Sequence, residues 1–256
     1  MSTAIILENR EYWTQRAPGY SQVNREELAT NQREVWRRTL VERIGAHFPG
    51  RAPGDIHVLE IGTGPGFFAI LLAEAGYRVT AIDLTPSMLA EARRNAGDLE
   101  DRITFLEMNA QALDFGSGRF DVILSRNVTW NLPEPETAYA EWVRVLKPGG
   151  LLLNFDANWY GYLYDDAAKA AYERDRENSA RAGLGDMNVG EQFDRMEDIA
   201  RRVPLSREKR PAWDVRALTR LGMRVRADQH IWKRVWSDQE KVNFDSTPMF
   251  MVCGYK

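Results

Sequence analysis

The chain has 256 residues, of which 44% are hydrophobic and 28% are charged, and its 34 basic and 37 acidic residues give a net charge of −3. A chain of this length can bury a substantial core in one large domain or two small ones. The mild acidity argues against a nucleic acid as the main partner, because neutralising a phosphate backbone needs a basic face.

The remaining composition bears on compartment, membrane and metal. The lone Cys253 cannot form an internal disulfide, and the first apolar run, in STAIILENREYW, ends after four residues and so does not resemble a cleavable signal. We therefore expect a cytoplasmic protein. No apolar run approaches the roughly 20 residues of a membrane span. His47, His57 and His230 are far apart and lack metal-ligand spacing, so we expect no metal site.

The first part of the chain predicts a helical segment followed by a layered sheet. Residues 8–48 are polar, aromatic and helical in pattern, and we expect an N-terminal helical cover over residues 1–50. From Ile56 onward, short apolar runs alternate with helical ones, which is typical of a parallel sheet covered by helices. The predicted strands and helices are, in order, IHVLEIG, FFAILLAEAG, YRVTAID, TPSMLAEARRNAG, RITFLEM, FDVILS, PETAYAEWVRVL and LLLNFD.

The second part of the chain interrupts this alternation and then resumes it. Residues 159–211 are charged and helical, and we interpret them as a cap inserted into the domain. The helix WDVRALTRLG and the strands MRVRADQHI and PMFMVCGYK complete the pattern. The chain is thus predicted to be an α/β protein with a doubly wound, mostly parallel, seven-stranded sheet in a domain spanning residues 51–256.

The turn after the first predicted strand is rich in glycine. Gly62, Gly64 and Gly66 lie between a strand and a helix, at the carboxyl edge of the sheet where open α/β folds bind ligands. Glycine permits positive φ and lets a ligand approach the backbone closely. Three glycines at alternate positions in this context favour a ligand site over a plain tight turn.

The spacing of these glycines separates two ligand classes. A dinucleotide site needs G-x-G-x-x-G, but the third glycine of that pattern falls on Phe67. Asp83 ends the second predicted strand, where a carboxylate can accept hydrogen bonds from both hydroxyls of a ribose. A nucleoside without a pyrophosphate is therefore the predicted ligand.

At this point the chain resembles the class I S-adenosylmethionine-dependent methyltransferases. The resemblance covers roughly residues 56–156 and rests on five motifs in order: LEIGTGPG, AIDLTPSML, FLEMNAQAL, FDVILSRNVTWNL and RVLKPGGLLL. It implies the Rossmann-like methyltransferase fold, S-adenosylmethionine as cofactor and S-adenosylhomocysteine as product.

The same resemblance implies which residues bind the cofactor. They are Glu60, Gly62, Thr63, Gly64, Gly66, Asp83, Leu84, Met88, Asn109, Ala110, Ser125 and Asn127. Glu60 and the glycines would surround the methionine part, Leu84 and Met88 would pack on the adenine, and Ser125 to Asn127 would border the sulfonium. Asn109 stands where the family commonly has Asp, and its side-chain oxygen can still accept a hydrogen bond from the adenine amino group.

Methyl transfer places few demands on the protein's own chemistry. An in-line displacement at a sulfonium needs alignment and a dry pocket more than a reactive side chain. The sequence shows no nucleophile triad, which agrees with such a reaction. Asp156 and Tyr160 follow the fifth predicted strand and are our candidates for a proton acceptor, although Asp156 could equally bind loop amides.

Aromatic residues are concentrated near the predicted ligand edge. Our predicted acceptor-binding residues are Tyr12, Tyr20, Trp130, Trp159 and Tyr160. Aromatic walls suit a flat acceptor or a cation, and they suit a hydrophobic core equally well. Trp213, Trp232 and Trp236 are farther from the motifs, and we assign them to packing or a subunit contact.

The organisation resembles the small-molecule methyltransferases of ubiquinone, menaquinone and natural-product biosynthesis. After the fourth predicted strand the chain reads SRNVTWNLPEP, unlike the N-P-P-Y motif of nucleic-acid enzymes. We expect methyl transfer to an N, O or S atom of a small aromatic metabolite, with a homodimer left open. The alternatives are a non-catalytic regulatory protein that binds S-adenosylmethionine or S-adenosylhomocysteine, and a nicotinamide-dependent oxidoreductase.

Overall fold

The computed structural model describes residues 2–184 and 191–256. The N-terminal helices are α1 (Ser2–Ala29) and α2 (Gln32–His47). The central elements are β1 (His57–Ile61), α3 (Phe67–Glu74), β2 (Arg78–Asp83), α4 (Pro86–Ala96), β3 (Ile103–Glu107), β4 (Phe120–Arg126), α5 (Pro135–Val145) and β5 (Leu146–Asp156). The later elements are α6 (Asp166–Arg181), α7 (Glu191–Ala200), α8 (Ala212–Arg220), β6 (Arg224–Asp228), α9 (Trp232–Val235), α10 (Asp238–Asn243) and β7 (Phe250–Tyr255).

The seven strands form one sheet in the order β3-β2-β1-β4-β5-β7-β6. The pairs among β1 to β5 are parallel, and β7 runs antiparallel to both of its neighbours. The predicted α/β class and mostly parallel seven-stranded sheet are confirmed. The strand order reverses between β1 and β4, which creates the crevice where such sheets hold ligands.

The apolar strands are explained by cover on both faces. One face packs against α2 and α3 through side chains such as Trp36, Leu40 and Phe68, and the other packs against α5 through Tyr139 and Trp142. A parallel strand buried on both faces reads as a continuous apolar run, as β4 does. Each large side chain buried in this way stabilises the fold by about 1.5–3 kcal/mol.

The chain departs from the expected elements in two places. β5 begins at Leu146, before the expected turn KPGG. The predicted strand MRVRADQHI ends early, at Asp228, because Asp228 Oδ1 accepts a hydrogen bond from the His230 backbone N–H at 2.9 Å and a helix follows. The helices α9 and α10, which lie between β6 and β7, were not predicted.

The N-terminal helix α1 crosses the carboxyl edge of the sheet. Arg10 pairs with Glu107 at the end of β3 at 2.7 Å, and Asn9 Nδ2 donates to the Asn131 carbonyl at 3.0 Å. Farther along α1, Glu27 pairs with Arg126 at the end of β4. Helix α1 therefore covers the crevice, while the domain division at residue 50 stays a prediction.

The predicted cap contains α6 and α7, and its residues 185–190 lie outside the described residues. Among the helices of residues 2–184 and 191–256, none has both the length and the apolar character that crossing a bilayer requires.

Candidate functional site

A cavity of about 820 Å³ opens at the carboxyl edge of the sheet, and we name it the sheet-edge cavity. Its walls come from the segments that follow β1, β2, β3 and β4, and from α1. The predicted cofactor residues that line it are Gly62, Gly64, Asp83, Leu84, Met88, Asn109, Ala110 and Asn127. Glu60, Thr63, Gly66 and Ser125 are not part of its lining.

The three glycines of the turn have different neighbours. Gly62 has φ +65°, and a Cβ there would collide with the Val128 side chain. Gly64 has φ +52° and lines the cavity, with the Tyr20 ring 3.7 Å from where a Cβ would lie. Gly66, at φ +93°, would press a Cβ against Ala92 of α4 at 3.1 Å. Gly62 and Gly64 thus leave backbone at the cavity wall, whereas Gly66 allows helix packing.

Asp83 fixes the turn and lines the cavity. Its Oδ2 accepts a hydrogen bond from the Gly64 backbone N–H, and its Oδ1 accepts one from the Thr85 backbone N–H, both at 2.9 Å. Burial raises the pKa of the Asp83 carboxyl. Each carboxylate oxygen has a second lone pair, so the group can still accept hydrogen bonds from two ligand hydroxyls.

Glu60 and Ser125 lie behind the cavity wall. Thr63 Oγ1 donates to Glu60 Oε2 at 2.6 Å, and burial raises the pKa of Glu60 to about 8. Ser125 Oγ donates to Asn154 Oδ1 at 2.8 Å in the fully buried sheet. These side chains hold the turn and the end of β4 in position.

Two asparagines at the cavity wall differ in how their side chains are bonded. Asn109 Oδ1 accepts a hydrogen bond from the Gln111 backbone N–H at 2.9 Å. Asn127 has φ +58°, and its buried Oδ1 has no hydrogen-bond partner in the described part of the chain. A buried polar atom without a partner is uncommon and indicates a place for a ligand or water.

A second cavity of about 1180 Å³, the aromatic cavity, lies beside the first. The predicted acceptor residues Tyr20, Trp130, Trp159 and Tyr160 line it. Tyr12 lines neither cavity. It is buried with Ile5 and Met196, and its ring lies edge-on to Trp13 at 5.1 Å.

The two cavities share one wall. Trp13, Tyr20, Arg126 and Asn127 line both of them. The two cavities therefore adjoin at these four residues.

Arg126 is the charged member of the shared wall. Its guanidinium forms two hydrogen bonds with Glu27, both of 2.8 Å, and lies over the rings of Phe67 and Trp36. Burial alone would lower the pKa of Arg126, but the Glu27 charge outweighs it and raises that pKa. The pair attaches α1 to the end of β4.

The two candidate proton acceptors occupy different environments. Asp156 is fully buried outside both cavities, where it accepts hydrogen bonds from the Trp130 backbone N–H at 3.0 Å and from Arg210 at 2.7 Å. Arg210 also pairs with Asp214. Asp156 thus holds the loop after β4 and lines neither of the two cavities. Tyr160 lines the aromatic cavity 5.0 Å from the Trp130 ring, and burial raises its hydroxyl pKa, which disfavours the phenolate.

Several cavity residues were not singled out from the sequence. In the aromatic cavity they include Glu27, Trp36, Tyr172, Asp175, Arg176, Phe193, Glu240, Asn243 and Phe244. Trp236 was assigned to packing or a subunit contact, and it also lines this cavity. One signal was available, because the stretch SDQE is a capping box: Ser237 accepts from the Glu240 backbone N–H at 3.2 Å while Glu240 accepts from the Ser237 backbone N–H.

In the described part of the chain, no cluster of three or more His, Cys, Asp or Glu side chains is arranged to hold a metal ion.

The part of the chain that is similar to known proteins includes most of the residues that line the sheet-edge cavity. Residues 59–154 match a family described as a methyltransferase domain. The demethylmenaquinone methyltransferase of Renibacterium salmoninarum is 35% identical over 137 residues, covering 54% of this chain and 53% of that protein. The ubiquinone/menaquinone biosynthesis C-methyltransferase of Allorhizobium ampelinum is 32% identical over 131 residues, covering 49% of each. The chain spans about half the length of the curated relatives it matches.

Among solved structures, a S-adenosylmethionine-dependent methyltransferase from Aquifex aeolicus superimposes with a TM-score of 0.52. The superposition covers 86% of this chain and 88% of the Aquifex aeolicus chain, and the two sequences are 16% identical. This likeness shows the fold.

Proposed function

We propose that this protein transfers a methyl group from S-adenosylmethionine to a small acceptor, because residues 59–154 match a family described as a methyltransferase domain and the chain is similar to methyltransferases. The sheet-edge cavity would hold the cofactor, and the aromatic cavity would hold the acceptor.

The shared wall carries this proposal. Methyl transfer by displacement requires the acceptor atom and the sulfonium methyl to meet in line, with water excluded. Two separate cavities would not allow this, but cavities that share Tyr20, Arg126 and Asn127 bring two ligands to one boundary. The unpartnered Asn127 Oδ1 lies at that boundary.

The residues of the sheet-edge cavity have the chemistry that the cofactor needs. Asp83 would accept hydrogen bonds from the ribose hydroxyls, and Leu84 and Met88 would pack against the adenine. Gly62 and Gly64 would leave room for the methionine part beside bare backbone. When bound, S-adenosylmethionine supplies an electrophilic methyl group, and the protein supplies alignment and a dry surrounding.

Most of the aromatic cavity's walls lie outside the residues that match the methyltransferase family. Of the aromatic cavity's lining, only Arg126, Asn127 and Trp130 fall within the matched residues 59–154. The other walls come from α1, α2 and the segments after β5. A relative's acceptor therefore does not transfer with the domain, and the many rings favour a small aromatic or cationic molecule.

The atom that receives the methyl group has two candidates. The sequence predicts an N, O or S atom. A carbon acceptor is the second candidate, because the Allorhizobium ampelinum relative is named a C-methyltransferase. With Asp156 committed to Arg210 and the pKa of Tyr160 raised, neither side chain favours proton abstraction, so we propose an acceptor that reacts without a strong protein base.

The test is transfer of a radioactive methyl group. The protein is incubated with S-adenosylmethionine labelled on the methyl group and with fractions of a metabolite extract, and label in a new small molecule is measured. We expect label with the wild type and at least a tenfold lower yield with Asp83→Ala. Asp98→Ala removes an exposed carboxylate and should retain the full yield.

Binding of S-adenosylmethionine without transfer to any fraction would favour the regulatory alternative, a protein that binds the cofactor without using it.

A further inference from the structure

We propose that the acceptor is a cationic metabolite, an amine or quaternary ammonium compound, whose positive charge is held in the aromatic cavity by Glu240 and Asp175. The inference rests on the proposed function and adds the substrate class. The charged nitrogen is an anchor, and it need not be the atom that is methylated.

The aromatic cavity is lined by more carboxylates than guanidiniums. Its described lining contains the carboxylates of Glu27, Asp175 and Glu240, and the guanidiniums of Arg126 and Arg176. Arg126 forms two hydrogen bonds with Glu27, and its charge also acts on Glu240. Arg176 donates to the Asn243 carbonyl and lies over the Tyr172 ring at 4.9 Å. An excess of negative charge therefore faces the cavity.

Two of these carboxylates, Glu240 and Asp175, have no ion-pair partner in residues 2–184 and 191–256. Glu240 Oε2 accepts from Gln32 Nε2 at 2.6 Å and from the Ser237 backbone N–H at 2.7 Å, and Oε1 accepts nothing there. Asp175 Oδ2 accepts from the backbone N–H and the hydroxyl of Ser246, at 2.9 and 2.5 Å. Its Oδ1 is likewise without a described donor, although Asp175 is only 3% exposed.

Neutral donors hold these carboxylates in place without cancelling their charge. Burial raises the pKa of the Glu240 carboxyl and the nearby Glu27 charge raises it further, while the Arg126 charge lowers it. A cation entering the cavity would supply the ion-pair partner that Glu240 lacks in the described residues.

The walls of the aromatic cavity contain several pairs of aromatic rings. Tyr162 and Tyr172 stack at 4.1 Å, Tyr160 and Phe193 at 6.4 Å, and Trp159 meets Phe244 edge-on at 5.4 Å. Ring faces attract cations, and cages of Trp and Tyr recognise quaternary ammonium groups.

A further observation concerns a buried polar group in the same wall. Asn243 is 1% exposed and lines the cavity, and its Nδ2 has no hydrogen-bond partner in the described part of the chain. Its Oδ1 is fixed by the Ser179 hydroxyl at 2.5 Å. The wall that carries Glu240 and Asp175 thus contains an unpartnered donor, which an acceptor atom of the ligand, away from its charged nitrogen, would satisfy.

The experiment compares three probes that share a phenylethyl group and differ in its polar substituent: 2-phenylethylamine, 2-phenylethanol and 3-phenylpropanoate. Binding to the full chain is measured by calorimetry, with and without saturating S-adenosylhomocysteine. We expect the amine to bind at least tenfold more tightly than the alcohol, and the carboxylate to bind most weakly.

The variants assign the charge to its residues. Glu240→Gln and Asp175→Asn keep acceptors for the Ser237 and Ser246 hydrogen bonds, and each should weaken amine binding at least fivefold while alcohol binding stays within twofold. Glu177→Gln, on the exposed surface of α6, is the matched control and should leave both unchanged. A thermal unfolding curve for each variant verifies folding.

Equal binding of amine and alcohol, preference for the carboxylate, no binding of any probe, or variants that bind the amine like wild type would each overturn the inference. Titration of the wild type with S-adenosylhomocysteine alone distinguishes failure of this inference from failure of the proposed function. If the protein has no cofactor site, S-adenosylhomocysteine will not bind, whichever probes bind.

Discussion

The two cavities are built from the chain in different ways. The sheet-edge cavity is formed mainly by consecutive strand ends and the turns after them, between Gly62 and Pro133, with α1 as its cover. The aromatic cavity takes side chains from α1 and α2, from the segment after β5 and from α10 and its neighbours. The first is fixed by the topology of the sheet, whereas the second depends on how distant segments fold back over it.

The largest expected effect comes from removing Arg126, the charged residue among the four that line both cavities. Arg126→Ala would leave Glu27 as a buried, unpaired carboxylate and should lower the free energy of unfolding by about 3–5 kcal/mol, measured by urea denaturation. The control Arg37→Ala removes an exposed ion pair with Glu34 and should cost less than about 1 kcal/mol.

The double variant Arg126→Met with Glu27→Leu should recover most of that loss, because no buried charge then remains unpaired. If Arg126→Ala is as stable as Arg37→Ala, the pair does not attach α1 to the sheet.

The next effect concerns the support behind the sheet-edge cavity. Glu60 has a folded pKa of about 8, above its ordinary 4.5, so folding favours its protonated form. Its stabilising contribution is therefore complete below about pH 4.5 and is lost as pH rises towards 8. Between pH 6.5 and 7.5 the unfolding free energy of the wild type should fall by about 1.2 kcal/mol more than that of Glu60→Gln. Parallel pH profiles of the two proteins would show that Glu60 is ionised in the fold.

A third prediction separates the two cavities. Tyr160→Ala removes a ring that lines the aromatic cavity and not the sheet-edge cavity. The kcat/KM for the acceptor identified by methyl labelling should therefore fall at least tenfold, or about 1.4 kcal/mol. The affinity for S-adenosylhomocysteine should stay within twofold. Tyr164→Ala is the control, because that ring is 41% exposed and lines neither cavity. A matching loss of S-adenosylhomocysteine affinity in Tyr160→Ala would mean that the cavities do not act separately.

The smallest effect tests the adenine contact. Asn109→Asp introduces the residue that related motifs commonly carry, and a charged acceptor forms the stronger hydrogen bond with an amino group. S-adenosylmethionine should bind about threefold more tightly, or ~0.6 kcal/mol, by calorimetry. Asn178→Asp adds the same charge on the exposed surface of α6 and should change nothing. Weaker binding by Asn109→Asp would place Asn109 away from the adenine amino group.

The difference between the cavities also explains what the sequence could predict. The strands, the order of their motifs and the lining residues Gly62, Gly64 and Asp83 are local features, because each lies at or just beyond a strand end. Alternating apolar runs are enough to find them. A motif does not show which of its members face the cavity, so the positions of Glu60 and Gly66 outside its lining could not be predicted, and their cofactor contacts stay a prediction.

The aromatic cavity could be predicted only in part. Trp130 and Tyr160 follow strands and were found, but Glu27, Asp175 and Glu240 lie on three helices that are far apart in sequence. Their meeting depends on tertiary packing that no local pattern encodes. Asp156 ends β5, and its position alone made it a candidate for catalysis, whereas its contact with Arg210, 54 residues away in the chain, could not be predicted from a local pattern.

The most direct test of the account is calorimetric titration of the wild type, Asp83→Ala and Asp98→Ala with S-adenosylmethionine. We predict micromolar binding to the wild type and to Asp98→Ala, on the order of −8 kcal/mol, and at least tenfold weaker binding to Asp83→Ala. Absence of binding to the wild type would contradict the assignment of the sheet-edge cavity to the cofactor, and with it the proposed methyl transfer.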